Sequence, residues 1–272
     1  MEIGLFTSGY QRNPLDNIFE DAANFGYNFI ELWGGRPHAY APDILNGDAK
    51  RIRDLSRKYR MPITVYTPEM NAYPFNIMAG SESMRIDSVN YVKRAIKAAK
   101  EIGSEYTLIS AGHGGYMENT VTLRTRLLKC LLEISDFAAS EHHKVLLEPL
   151  TIYESNICTT ANELKNLLDE VNSEYLLGMC DVVVPFVQHE CILTYLNKLG
   201  SKLHHIHVVD SDGKYEKHIM PGDGVLPLDE LLPALKQAGY DKTLTIELVT
   251  GYMNEPRLFA NRAIKRIRSY LA

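Results

Sequence analysis

The sequence predicts a (β/α)8 barrel occupying residues 1–272 as one domain. Three observations carry that expectation. Short apolar runs alternate with amphipathic stretches from end to end, eight of each. No polar linker is long enough to divide the chain into domains. No Gly-rich dinucleotide or phosphate fingerprint follows the first run, and a doubly wound sheet of this length would contain fewer strands.

The elements follow in order. EIGLFT (2–7) reads as the first strand and 14–25 as its helix, with Asp16 placed as a start signal and Gly26 as a stop. NFIELW (28–33) is followed by a helical pattern over 49–59, and PITVYT (62–67) by one over 82–101 with Ser81 before it and Gly103 after it. YTLISA (106–111) precedes 119–141, which opens on Asn119. KVLLEP (144–149) precedes 161–171, which opens after Thr160. YLLGMC (175–180) pairs with 188–199 and Gly200, LHHIHVV (203–209) with 228–238 and Gly239, and LTIELV (244–249) with 255–270. The connections after strands 1, 2, 3 and 7 are long and rich in aromatic, Asn, Gly and Pro residues. In a barrel these are the βα loops that build the active-site face.

Composition narrows the function classes. Hydrophobic residues make up 45% and charged residues 23% of the chain, as in an ordinary globular protein. A formal net charge of −5 argues against nucleic acid or an anionic membrane surface as partner. The N-terminal segment MEIGLFTSGYQRNP has no basic stretch followed by an apolar one, and no run reaches membrane-spanning length. Cys130, Cys158, Cys180 and Cys191 are scattered, with no C-x-x-C pair. The expectation is a cytoplasmic protein with reduced cysteines.

The run KVLLEP poses a problem: a buried strand ends in Glu148, whose charge is costly to bury. Strand 6 ends in Asp181, strand 7 carries His207 near its end, and strand 8 carries Glu247. Side-chain alternation puts Glu148 on the face of Leu146 and Glu247 on the face of Thr245, so that four successive strands present Glu, Asp, His and Glu at one mouth. Three carboxylates and an imidazole in so small a volume repel one another unless a cation joins them. One divalent metal ion is therefore expected. Oxygen-rich ligands with one imidazole suit Mn, Co or Mg and are also accepted by Zn or Ni. An octahedral ion so held keeps two positions for neighbouring substrate oxygens. Asp210 and Asp212, in the turn sequence DSDG, are assigned to the turn or to support of the ligands. Cys180 points away from Asp181 into packing.

At these residues the chain resembles the xylose isomerase-like TIM-barrel family of sugar isomerases and epimerases, and within it the ketose 3-epimerases. That resemblance implies metal ligands Glu148, Asp181, His207 and Glu247, a second site glutamate at Glu154, and the turn Pro221-Gly222-Asp223-Gly224. The stretches WGGRPHAYAPD, YTPEMNAYPFN, TLISAGHGGY, LEPLTIYESN, VVDSDG and ELVTGYMNEPRL are similar to those of a bacterial branch acting on an Amadori product, a ketose carrying an amino acid on C1. The chain departs from the free-sugar enzymes in two places. Val184 stands where they have a His, and His218 is the nearest candidate where they have an Arg. A substituted ketose fits those departures.

The mechanism expected is 3-epimerisation through a cis-enediolate, with Glu148 and Glu247 exchanging protons on opposite faces of C3. Strands 5 and 8 lie about 135° apart around an eight-stranded barrel, which opposes the two carboxylates. Glu154, His113, His218, Trp33, Tyr66 and Arg36 are candidate substrate contacts, with Tyr73 as a further wall and His38 and Arg257 as further partners for the amino-acid carboxylate. The partner is thus a small sugar or Amadori compound, and the resemblance implies association into homo-oligomers through the loop-rich face. The alternatives are an aldose–ketose isomerase, or a 3-epimerase of another ketose, on the same scaffold. A phosphodiesterase of abasic-site type needs more His ligands and a basic face. An idle sugar-binding barrel has no use for two opposed glutamates.

Overall fold

The computed structural model describes residues 1–70 and 74–272. Its sheet is a closed barrel in the order β1 to β8, every neighbouring pair parallel. The strands are Glu2–Phe6 (β1), Phe29–Gly34 (β2), Ile63–Pro68 (β3), Tyr106–Ser110 (β4), Lys144–Glu148 (β5), Leu176–Asp181 (β6), Leu203–Val208 (β7) and Thr243–Ile246 (β8). Both faces of such strands are covered, which is why they read as near-continuous apolar runs rather than as alternating ones.

Alternation divides each strand between two cores. Val65, Leu108, Leu146, Leu177 and Met179 fill the barrel interior together with Tyr106. Their neighbours, among them Ile30, Tyr66, Ile109, Leu147, Cys180 and Ile206, join the larger core under the helices. Cys130, Cys158 and Cys180 are buried, Cys191 is exposed, and all four are free.

The helices start and stop largely where local chemistry demands. Ser81 accepts from Met84 N and Asn119 from Thr122 N at the heads of Glu82–Ile102 and Thr120–Ser140. Thr160 and Glu163 form a reciprocal capping box before Ala161–Val171. Gly26 and Gly103 take the left-handed conformation that ends their helices.

Three expectations are corrected. Asp16 lies inside the first turn of Leu15–Phe25, after an N-cap at Pro14, and its carboxylate is taken by Lys58 and Tyr59. The loop after β2 is itself helical: Ala41–Asp43 and a π turn, Ile44–Asp48, lead into Ala49–Tyr59. The helix expected over 188–199 begins only at Leu193 and runs to Leu199; a separate short helix, Val183–Val187, precedes it, and His189 between the two adopts φ 58°, which no helix continues through. No helix among the described residues is long and apolar enough to cross a membrane.

Candidate active site

β5, β6 and β7 deliver Glu148, Asp181 and His207, and Glu247 follows directly after β8. The register sets Asp181 beside His207 and His207 beside Thr245, two residues before Glu247. The four side chains each offer a ligand atom, and those atoms all lie within 4.8 Å of one another. His207 Nδ1 is 3.3 Å from Glu148 Oε1 and 2.8 Å from Glu247 Oε2.

The donor atoms do not satisfy one another. His207 Nδ1 and Glu247 Oε2 are buried without a hydrogen-bond partner among the described residues, although only 2.8 Å separates them. Distance alone therefore overstates that contact, which lacks hydrogen-bond geometry. Two orphaned buried polar atoms are expensive, and a shared cation is the economical remedy. Three carboxylates and one imidazole nitrogen form the ligand chemistry of an octahedral divalent ion.

The chain's own charges show the same strain. Burial holds the Glu148 pKa up at about 7, with His207 opposing and Glu247 and Asp181 adding to it. For His207, burial pulls the pKa down, but Glu31, Glu247 and Glu148 outweigh it and push it well above the usual imidazole range.

Beneath this cluster lies a carboxylate that the sequence reading missed. Glu31, in the middle of β2, is fully buried. It accepts from His207 Nε2 at 3.0 Å, from His205 Nε2 at 3.0 Å and from the Thr67 hydroxyl at 2.7 Å. Burial alone would raise its pKa, but the two imidazoles outweigh that and hold it well below the usual carboxylate range. Its contact with Nε2 leaves the Nδ1 lone pair of His207 facing Glu148 and Glu247. The signal was present: an acid between two apolar neighbours in NFIELW, and a histidine two residues before His207 on the same strand face.

A second feature, the Pro221–Gly224 turn, follows from Asp210. Its carboxylate accepts from the backbone N–H groups of Ser211 and Leu226 through one oxygen and of Gly222 and Gly224 through the other. A Cβ at Gly224 would collide with Asp210 Oδ1. Asp210 also forms an isolated bridge with Ile219, which carries the adjacent His218 inward. There His218 Nε2 stands 3.2 Å from Asp181 Oδ2 and 3.0 Å from Glu216 Oε1. Asp212 accepts from the N–H groups of Lys214 and Tyr215, as a turn residue does.

A cavity of about 280 Å³ opens at the cluster. Trp33, Phe6, Glu154, His218 and Glu216 line it with Glu148, His207 and Glu247. Phe6 stacks on His207 with ring centroids 5.7 Å apart, and Trp33 Nε1 donates to Glu69 Oε2 at 2.9 Å. Glu154 accepts from Thr151 N and Oγ1, and burial together with Glu216 and Glu148 raises its pKa to about 7. His113 lines a neighbouring cavity rather than this one.

Other expected contacts lie elsewhere. Tyr66 is fully buried on the helix side of β3, where its hydroxyl donates to Ala39 O, because alternation turns it away from the interior that Val65 faces. Arg36 is exposed and grips Asp43 through two hydrogen bonds, lining neither cavity. Arg257 pairs with Asp21 and Glu20, and His38 Nε2 contacts Asn13 O, so neither faces the site. Tyr73 lies outside the described residues.

The chain belongs to the xylose isomerase-like TIM barrel family, whose match spans residues 19–270. Among relatives, the fructoselysine 3-epimerase of Shigella flexneri is 47% identical over 271 residues, covering 100% of this chain and 98% of that protein. The fructoselysine 3-epimerase of Escherichia coli O157:H7 matches with the same identity and coverage. A solved D-psicose 3-epimerase from Clostridium cellulolyticum H10, with D-tagatose, superposes with a TM-score of 0.82 over 100% of this chain and 99% of its own; at 16% identity it speaks for the fold alone.

Proposed function

We propose that this chain is a metal-assisted ketose 3-epimerase that interconverts fructoselysine and its C3 epimer, psicoselysine. The observation that carries the reading is the convergence of Glu148 and Glu247 on His207 in a chain 47% identical along its length to fructoselysine 3-epimerase. Glu148, Asp181, His207 and Glu247 are the proposed ligands of one divalent ion, which when bound would supply Lewis-acid stabilisation of negative charge on the C2 and C3 oxygens.

The rest is done by protein groups. Glu148 and Glu247 approach from strands three places apart, so that a flat sugar carbon between them meets one carboxylate on each face. One carboxylate oxygen removes the C3 proton, leaving an enediolate. The other carboxylate, in its acid form, delivers a proton to the opposite face, so one C–H bond breaks and another forms with inversion. Phe6 and Trp33 form apolar walls that limit water at the reacting carbon.

The test is turnover of fructoselysine in deuterated water, with and without a chelator. Deuterium at C3, lost on chelation, is the expected result. Label at C1 or C2 instead would make the protein an aldose–ketose isomerase.

A further inference from the structure

The site cavity is small for its proposed ligand. At about 280 Å³ it lies at the foot of the usual range for ligand pockets. A second cavity of about 530 Å³ adjoins it, and Met70, Ser110 and Glu154 line both. Its wall is mostly apolar: Met70, Pro74, Phe75 and Met84. The Phe75 ring is held by stacking on Tyr91, with centroids 3.9 Å apart and planes 7° off parallel. The polar exceptions include His113 and Glu154.

Charge at the junction is one-sided. His218 offsets Asp181 and Glu216, and the proposed cation offsets the ligand carboxylates. Glu154 receives hydrogen bonds from neutral Thr151 groups, and no Lys, Arg or His forms an ion pair with it among the described residues. A mostly buried carboxylate with neutral partners at the neck between two cavities calls for a cationic ligand group. His113 Nδ1 accepts from Gly115 N at 2.9 Å, which places the ring proton on Nε2 as a donor for an anionic end group.

Resting on the epimerase reading above, we propose that the second cavity is the subsite for an aliphatic amino-acid arm on C1 of the ketose, with Glu154 pairing with the secondary ammonium that joins arm to sugar. The arm's methylenes lie along Met70, Phe75 and Met84, and its carboxylate is directed to the His113 side. The metal site selects the ketose and the second cavity selects the substituent.

The experiment compares three ketoses on the metal-loaded protein: unsubstituted fructose, its 1-methylamino derivative and its Nε-lysyl derivative. Both kcat/KM for C3 exchange and calorimetric affinity are measured. The wild type is expected to rank lysyl above methylamino above unsubstituted. E154Q reduces the preference for methylamino over unsubstituted ketose about 30-fold, the worth of one charge-assisted hydrogen bond at a buried site. M84W, a change at a half-exposed side chain, narrows the second cavity and reduces the preference for lysyl over methylamino at least about tenfold. Equal losses on all three ketoses in E154Q, or wild-type selectivity in both variants, overturns the proposal. Absence of C3 exchange on every ketose would overturn the epimerase reading instead. The calorimetric ranking then decides the subsite by itself: ordered affinities sustain it, and equal or absent binding removes it.

Discussion

Replacing Glu31 with Gln separates the candidate metal centre from the hydrogen-bonded pair beneath it. The substitution keeps the side chain's shape and removes its charge at a position with no solvent access. Glu31 accepts from His205, His207 and Thr67. A glutamine has one acceptor oxygen, and its NH2 must face a donor. At least one charge-assisted bond is lost, costing about 1.5–3 kcal/mol of folding stability. The larger consequence runs through His207. With one amide oxygen shared among three donors, the tautomer that leaves Nδ1 open toward Glu148 and Glu247 is less strongly favoured. Loss of such a supporting partner weakens metal binding about 10–100-fold, or about 1.4–2.7 kcal/mol. Competition for Mn²⁺ between the protein and a fluorescent chelator measures it, with circular dichroism confirming that the variant is folded. A folded E31Q protein with wild-type Mn²⁺ affinity would refute the claim that Glu31 positions His207.

Further outcomes are expected. D210N, which weakens a carboxylate gripping four backbone N–H groups, should cost about 3 kcal/mol in chemical denaturation; an unchanged midpoint would show that the turn does not depend on that charge. Stripping divalent ions should abolish C3 exchange and lower the melting temperature, and Mn²⁺ should restore both; exchange persisting in excess chelator would remove the metal from the mechanism. Burial of His143, with Lys100 adding to it, depresses its pKa from 6.5 to about 4 in the folded chain. The unfolded chain therefore binds the proton first as pH falls, so stability present above pH about 6.5 is lost down to about 4, by up to about 3 kcal/mol. Urea unfolding at pH 7 and pH 4.5 should show a smaller acid loss in H143Q than in the wild type, and identical losses would contradict the assignment.

Local chemistry made much of the fold legible. Ser81, Asn119 and the Thr160–Glu163 box each mark a helix start that residues a few positions apart decide among themselves. Where a distant partner intervened, the reading failed. Asp16 is a good capping residue, yet Lys58 and Tyr59 from a neighbouring helix claim its carboxylate. Tyr66 carries an aromatic ring near a strand end, but the parity of β3 turns it toward the helices. Arg36, Arg257 and His38 carry suitable chemistry for binding an anion, and each is occupied by a group remote in sequence or across a loop.

What the sequence determined by itself was the rhythm of eight strands and helices and the four polar residues at the ends of the last four strands, because periodicity and alternation are properties of short segments. Tertiary structure alone decided that Glu31 supports His207, that Asp210 gathers the Pro221–Gly224 turn, and that Glu154 stands between two cavities. Glu31 and His207 are far apart along the chain, and only closure of the barrel brings β2 and β7 within hydrogen-bonding distance across its interior.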